Sequence, residues 1–308
     1  MAQTILRTER LSKTFEVGVR RKRVQAVKDL DLAVEEGEIF GFVGPNGAGK
    51  TTTIKMLMGL IFPTSGKAFI YDAPIPSVEA KRRIGFLPEN PSYYEFLTGR
   101  EALRFFGQLS GVGPSVLSPR LEELLELVGI SDAADRQIRK YSKGMQQRLG
   151  IAQALVGDPS FVVLDEPMSG LDPIGRKDVR DLILELRRRG KTVLFSTHIL
   201  PDVEMICDRV GIIVKGRLSR LGRIDEFTDL ESQETEVCLK GLSPETIGKL
   251  EKDAGAPVIR GTLAYFTLPT QEKAQAFIAG AQGQGATLIS LTPKRRSLED
   301  IFLTETRK

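Results

Sequence analysis

Five apolar residues, Ile39-Phe40-Gly41-Phe42-Val43, run directly into Gly44-Pro45-Asn46-Gly47-Ala48-Gly49-Lys50-Thr51-Thr52. No other stretch constrains the fold so tightly. The apolar run suits a short strand, and the pattern after it predicts a turn and then a helix. The glycines let the backbone turn so that several N–H groups converge on one point. The helix beginning near Lys50 adds its positive end there. The result is a cradle for a polyphosphate, and the spacing fits G-x-x-x-x-G-K-[ST] in full. Lys50 supplies a point charge for the β- and γ-phosphates. Thr51 offers its hydroxyl to Mg²⁺, and Thr52 adds a hydrogen bond.

A phosphate cradle needs a metal ligand and a group that orients water. Phe161-Val162-Val163-Leu164-Asp165-Glu166 offers both. The β-rich apolar run places Asp165 at the C-terminal end of a strand, where open α/β sheets bind ligands. Asp165 is suited to hold the Mg²⁺ hydration shell, and Glu166 to polarise the attacking water. Thr192-Val193-Leu194-Phe195-Ser196 is a second such strand. Between the two, residues 176–189 read as a helix stopped by Gly190. Strand, turn, helix and strand together predict an α/β fold around a parallel sheet.

The 308 residues are 41% apolar and 27% charged, with a net charge of +4. That is a globular profile, and too mildly basic for a dedicated nucleic-acid binder. The two cysteines, Cys207 and Cys238, read as idle thiols of a reducing compartment. No run of about 18 apolar residues would span a membrane, and the N-terminus shows no leader pattern. Residues 4–40 read as antiparallel strands with the basic run Arg20-Arg21-Lys22-Arg23 at a turn. A solvated loop is the ordinary reading of that run; contact with anionic lipid is the sharper one. Residues 101–128 have helical periodicity, broken at Gly111-Val112-Gly113-Pro114. Composition shifts near Asp229. Beyond it the strand and helix patterns alternate as βαββαβ, a small α+β domain of ferredoxin-like type. The expected division is therefore 1–228 and 229–308.

P-loops occur in many families, and Tyr141-Ser142-Lys143-Gly144-Met145-Gln146-Gln147-Arg148 chooses among them. It resembles the signature motif of ABC ATPases, in the variant common among ATPases of ABC-2 type exporters. Ser142 and Gly144, which that family uses against the γ-phosphate, are retained, while Tyr141, Lys143 and Met145 replace the more familiar Leu, Gly and Gln. Phe15 matches the aromatic that stacks on adenine; an ordinary core residue is its other reading. Ser169-Gly170-Leu171-Asp172 matches the D-loop, and His198, the chain's single histidine, matches the switch histidine that senses the γ-phosphate. One departure stands out: in Ile84-Gly85-Phe86-Leu87-Pro88-Glu89, Glu89 occupies the place of the Q-loop glutamine. It is nearly isosteric but anionic, so it suits a site where Mg²⁺ offsets its charge. Residues 297–303 also resemble the closing helix of ABC-2 type ATPases.

This resemblance implies a P-loop NTPase with an antiparallel β subdomain, a helical subdomain at about 90–160 and the small C-terminal domain. It also implies ATP and Mg²⁺ as ligands. One P-loop and one signature make half of each of two composite sites, so a second ATPase subunit, most simply an identical copy, completes them. A separate transmembrane permease is the expected partner, with this chain peripheral on the cytoplasmic face. Tyr93, Tyr94 and Phe96 are expected to line a groove for a helix of that permease, with Phe105 and Phe106 in the helical core. An importer ATPase and a soluble ABC ATPase acting on a non-membrane partner are the alternatives. The variant signature, Glu89 and the C-terminal extension argue against the first by resemblance. The single ATPase unit, the lack of sustained heptads and the mild charge argue against the second.

Overall fold

The computed structural model describes residues 3–18, 22–228, 234–293 and 297–307. The chain divides into two compact units. One comprises Met1–Ile224 with Thr304–Lys308, the other Asp225–Leu303. The expected boundary at residue 228 thus lies a few residues late, and the last residues belong to the first unit. There Glu305 is buried and accepts an ion pair from Arg220 at 3.0 Å, a charge that such burial requires to be partnered.

The first unit opens with the long strand β1 (Thr4–Val17), which turns back into β2 (Lys22–Leu30). Arg20 and Arg21 lie outside the described residues; Lys22 and Arg23 begin β2. The short β3 (Ala33–Glu35) also pairs with β1. Next come β4 (Ile39–Val43), α1 (Lys50–Leu57), β5 (Ser65–Ile70) and β6 (Ala73–Pro74). Strands β2-β1-β5-β6, with β3 on β1, form an antiparallel sheet. Its inward residues, among them Leu6, Leu11, Val27 and Ile70, share one core with Phe40, Phe42, Ile54 and Phe161.

The chain continues through α2 (Val78–Arg82), β7 (Ile84–Leu87), α3 (Gly99–Leu109), α4 (Pro114–Leu127) and α5 (Lys143–Leu155). The break expected at 111–114 separates α3 from α4, with Pro114 at a first-turn position that tolerates its missing N–H. Helix α3 starts on a capping box in which Thr98 and Glu101 each accept from the other's backbone N–H. Then follow β8 (Phe161–Asp165), α6 (Pro173–Arg188), β9 (Thr192–Thr197), α7 (Leu200–Ile206), β10 (Arg209–Val214), β11 (Arg217–Arg223) and α8 (Ile224–Thr228). The central sheet runs β11-β10-β4-β9-β8-β7. Its pairs are parallel except β10–β11, an antiparallel hairpin that makes the sheet mixed rather than wholly parallel. Every residue of β4, β8 and β9 is buried, which is why these strands read as unbroken apolar runs. Burying each of Phe40, Phe42, Phe161 and Phe195 contributes roughly 1.5–3 kcal/mol.

The second unit takes α8 from Asp225 onward and holds β12 (Thr235–Lys240), α9 (Pro244–Ala254), β13 (Val258–Arg260), β14 (Leu263–Leu268), α10 (Gln271–Gln282), β15 (Thr287–Pro293) and the start of α11 (Leu298–Arg307). The βαββαβ order is the one expected. The sheet order β13-β14-β12-β15 is wholly antiparallel, the arrangement of a split βαβ fold. Val237, Leu239, Ala264 and Phe266 face Leu250 of α9 and Phe277 and Ile278 of α10 in a core of their own. The rings of Phe266 and Phe277 lie 4.9 Å apart, a favourable tilted contact.

Candidate active site

Strand β4 ends at Val43, and the next six residues turn tightly into α1. Gly47 and Gly49 take positive φ angles of 78° and 111°, which side chains other than glycine rarely adopt. At Gly49 a Cβ would also sit 2.5 Å from the carbonyl oxygen of Ala26. Gly44 has an ordinary φ but no space, since a Cβ there would come within 2.5 Å of the Ile213 carbonyl oxygen. The loop encloses a cavity of about 270 Å³ lined by Pro45 to Thr52, Ala26, Glu89 and Glu166. Backbone N–H groups, a helix N-terminus and a lysine around one hollow fit a polyphosphate.

The polar side chains are tied across three elements. Lys50, at the start of α1, donates to the Gly44 carbonyl at 2.7 Å and stands 3.0 Å from Glu166 Oε1. Both charged side chains are almost wholly buried, at 6% and 7% exposure, so each compensates the other. Glu166 directly follows β8 in the left-handed region, with φ of 49°. That conformation is costly for a residue with a Cβ and recurs at functional sites. Its backbone N–H is held by Ser196 Oγ at 2.9 Å, and its Oε2 lies 3.0 Å from Nδ1 of His198, just beyond β9. Ser196 Oγ donates in turn to Asp165 Oδ1 at 2.6 Å, which also accepts from Thr51 Oγ1 at 3.4 Å. Burial pushes the Asp165 carboxyl above its usual range. The bonds from Ser196 and Thr51 oppose this, while the charges of Glu89 and Glu166 add to it.

The residue set fits a magnesium ion. Thr51 and Asp165 converge, Glu89 adds negative charge, and Asp165 is buried where a cation would compensate it. Among the described residues no group of three or more His, Cys, Asp or Glu could hold a metal by itself. Mg²⁺ would be held here by Thr51 and Asp165, a set of the size it commonly takes from protein when substrate phosphates are present.

The remaining candidates are distributed differently. Ser142 caps α5, its Oγ accepting from the Met145 N–H at 3.3 Å, and a Cβ at Gly144 would find only ordinary contacts near Leu171 and Ser142. Neither residue lines the phosphate cavity. In the D-loop, the Ser169 N–H donates to the Glu166 carbonyl, Asp172 caps α6 through the Gly175 N–H at 2.7 Å, and Leu171 is buried. Gly170 has φ of 69° and faces the Lys143 side chain. Phe15 is exposed on β1 with the Lys13 ammonium 5.0 Å from its ring centre, so it is not a core residue, and it too stands outside the cavity lining. The aromatic loop splits. Tyr93 turns inward, donating to the Gln146 carbonyl at 3.3 Å, and burial pushes its hydroxyl pKa up. Tyr94 and Phe96 are 55% and 67% exposed, and Tyr94 stacks edge-on with Phe105, itself 36% exposed. Phe105 therefore belongs to this surface and not to the helical core.

Two contributors escaped the sequence reading. Ser196 is the hinge of the carboxylate network, yet a serine at a strand end carries no local signal. Tyr141 is buried and donates to the Ala133 carbonyl at 2.7 Å, bracing the turn that precedes Ser142.

The family profile "ABC transporter" matches residues 27–169. The ABC transporter ATP-binding protein all4389 of Nostoc sp. is 42% identical across 99% of this chain and 90% of its own length. The Nod factor export ATP-binding protein I of Cupriavidus metallidurans is 35% identical, over 90% of this chain and 91% of its own. Among solved structures, the dimeric ATP-binding cassette MJ0796 in a post-hydrolysis state with ADP and Pi superimposes with a TM-score of 0.64 at 25% identity. That match covers 71% of this chain and 99% of the cassette. With a phosphate cradle, a buried carboxylate network and relatives matching along nearly the whole chain, this protein belongs to the ABC transporter ATP-binding proteins, ATPases whose hydrolysis of ATP drives transport.

Proposed function

We propose that the chain is the ATPase subunit of an ABC-2 type exporter, working as a pair of copies bound to a separate membrane-spanning permease on its cytoplasmic face. The observation that carries the hydrolytic part is the Lys50–Glu166–His198 cluster beside Thr51 and Asp165. Lys50 binds the β- and γ-phosphates. Thr51, Asp165 and Glu89 would hold Mg²⁺, which when bound neutralises phosphate charge. Glu166 orients and deprotonates the attacking water, and His198, fixed by Glu166, senses the γ-phosphate. The signature residues Ser142 and Gly144 stand outside the phosphate cavity of their own chain. They are proposed to close over ATP held by the second copy, with Ser169 to Asp172 carrying the signal between the sites. Phe15 supplies a surface for adenine.

The export direction draws support from the Nod factor export relative. The permease contact is assigned to the exposed Tyr94–Phe96–Phe105 patch and the groove beside it. Phe106, touching Phe105, lines that groove of about 590 Å³ with Val78, Phe86 and Leu109 and with Lys81 and Arg82. A groove that sets apolar side chains beside the cations Lys81 and Arg82 suits an amphipathic helix bearing acidic residues. No helix among the described residues is long and apolar enough to cross a membrane.

The test is capture from detergent-solubilised membranes with Glu166→Gln and MgATP, followed by mass spectrometry. A polytopic membrane protein at near-equal stoichiometry is the expected result. Ribosomal or DNA-processing proteins without a membrane partner would overturn the exporter reading and leave the ATPase untouched.

A further inference from the structure

The second unit carries a groove that no part of the ATPase chemistry uses. It lies between α9 and α10, has a volume of about 320 Å³, and is lined by Leu250, Asp253, Leu268, Lys273, Phe277 and Gly280. Its floor is apolar, since Leu250, Leu268 and Phe277 belong to the buried core of this unit. Its two charges are opposite, exposed, and supplied by different helices: Asp253 near the end of α9 and Lys273 in the first turn of α10. Neither takes part in a salt bridge among the described residues. Gly280 is the third observation. It stands inside α10, where glycine is the poorest helix former short of proline, and nothing lies within 4 Å of where its Cβ would be. Packing within the chain does not require a glycine there. Gly280 borders the groove, so a large side chain there would occupy it.

We propose that this groove binds a small zwitterion with an apolar side chain, the chemistry shared by a free hydrophobic amino acid and a dipeptide. The ammonium is met by Asp253, the carboxylate by Lys273, and the apolar side chain rests on Leu250, Leu268 and Phe277. A few convergent polar groups over an apolar floor are the usual make-up of a small-molecule site, and the volume is at the lower end of the roughly 300–1,000 Å³ such sites span. The second unit is then a ligand-sensing module. This assignment is independent of what the transporter exports, because every residue in it lies in the second unit.

Isothermal titration of the full chain tests it, with L-leucine and L-leucyl-L-leucine as probes and N-acetyl-L-leucine amide as the uncharged control. The expected result is saturable binding of at least one charged probe with a Kd of about 1 mM or tighter. Lys273→Glu weakens it at least about tenfold. Gly280→Leu fills the groove and abolishes it. Both variants keep the calorimetric transition of the second unit at the parent's midpoint, which shows that this unit is folded. Preference for leucine identifies the amino acid as the source, and preference for the dipeptide identifies a peptide. The assignment fails if neither charged probe binds below ~10 mM, if the uncharged control binds equally well, or if both variants bind as the parent does.

Discussion

Glu89 brings a further carboxylate to a site that already contains Asp165 and Glu166, and it lines the same cavity as Lys50. Two unit charges about 8 Å apart interact by about 2 kcal/mol at an effective dielectric near 20. Without metal, Glu89 therefore repels a triphosphate; with Mg²⁺ it contributes to the metal's field. Glu89→Gln is expected to tighten metal-free ATP binding by up to about thirtyfold and to raise the Mg²⁺ concentration needed for half-maximal hydrolysis. Nucleotide titrations in EDTA, set beside Mg²⁺ titrations of turnover, measure both effects. Equal affinities for the parent and Glu89→Gln in EDTA would place this carboxylate outside the range of the phosphates. At this scale the sequence was highly legible for Lys50, Thr51, Asp165, Glu166 and His198, because phosphate chemistry demands those types at those places. It was silent on Ser196, which acts only because β8 and β9 are neighbours in the sheet and bring its hydroxyl to Asp165.

Among the elements, β7 and the C-terminal part of α5 approach so closely that a side chain at Gly85 would meet the Ala154 carbonyl oxygen, with Pro159 next to it. A backbone oxygen cannot rotate away. Gly85→Ala is expected to lower stability by about 1–3 kcal/mol through overpacking. Gly144→Ala, whose new methyl would find only ordinary contacts, is expected to stay within about 0.5 kcal/mol of the parent. Urea unfolding of the two variants, read as a change in midpoint at unchanged slope, distinguishes them. The capping serines and threonines at the starts of α3, α5, α9 and α10 are visible in sequence because their chemistry is local. The faces of those helices are less visible. Phe105 and Phe106 are adjacent aromatics on α3, and only the packing of α4 and α5 against it determines which one looks outward.

Among the described residues each unit has a hydrophobic core of its own, one under the sheets of the first unit and one on the antiparallel sheet of the second. ATP binds only the first. A ligand at 100 times its Kd adds about 2.7 kcal/mol to the unit that binds it. Differential scanning calorimetry is therefore expected to show two transitions, and saturating MgATP should raise the one belonging to the first unit. A single transition that moves as a whole would mean that the two cores unfold together.

The sequence by itself determined the phosphate cradle, the paired carboxylates at the end of β8, the α/β order of the first unit and the βαββαβ order of the second. Each is a local pattern in which neighbouring residues carry both the propensity and the chemistry. The tertiary structure alone decided what depends on distant segments meeting. It set Lys50 against Glu166 across 116 positions, turned Tyr93 inward while leaving Tyr94 and Phe96 exposed, and added the antiparallel β11 to the central sheet. It also brought Asp253 and Lys273 to opposite helices of one groove. Such pairings depend on which strands become neighbours and which helix faces are covered, and spacing along the chain carries no record of either.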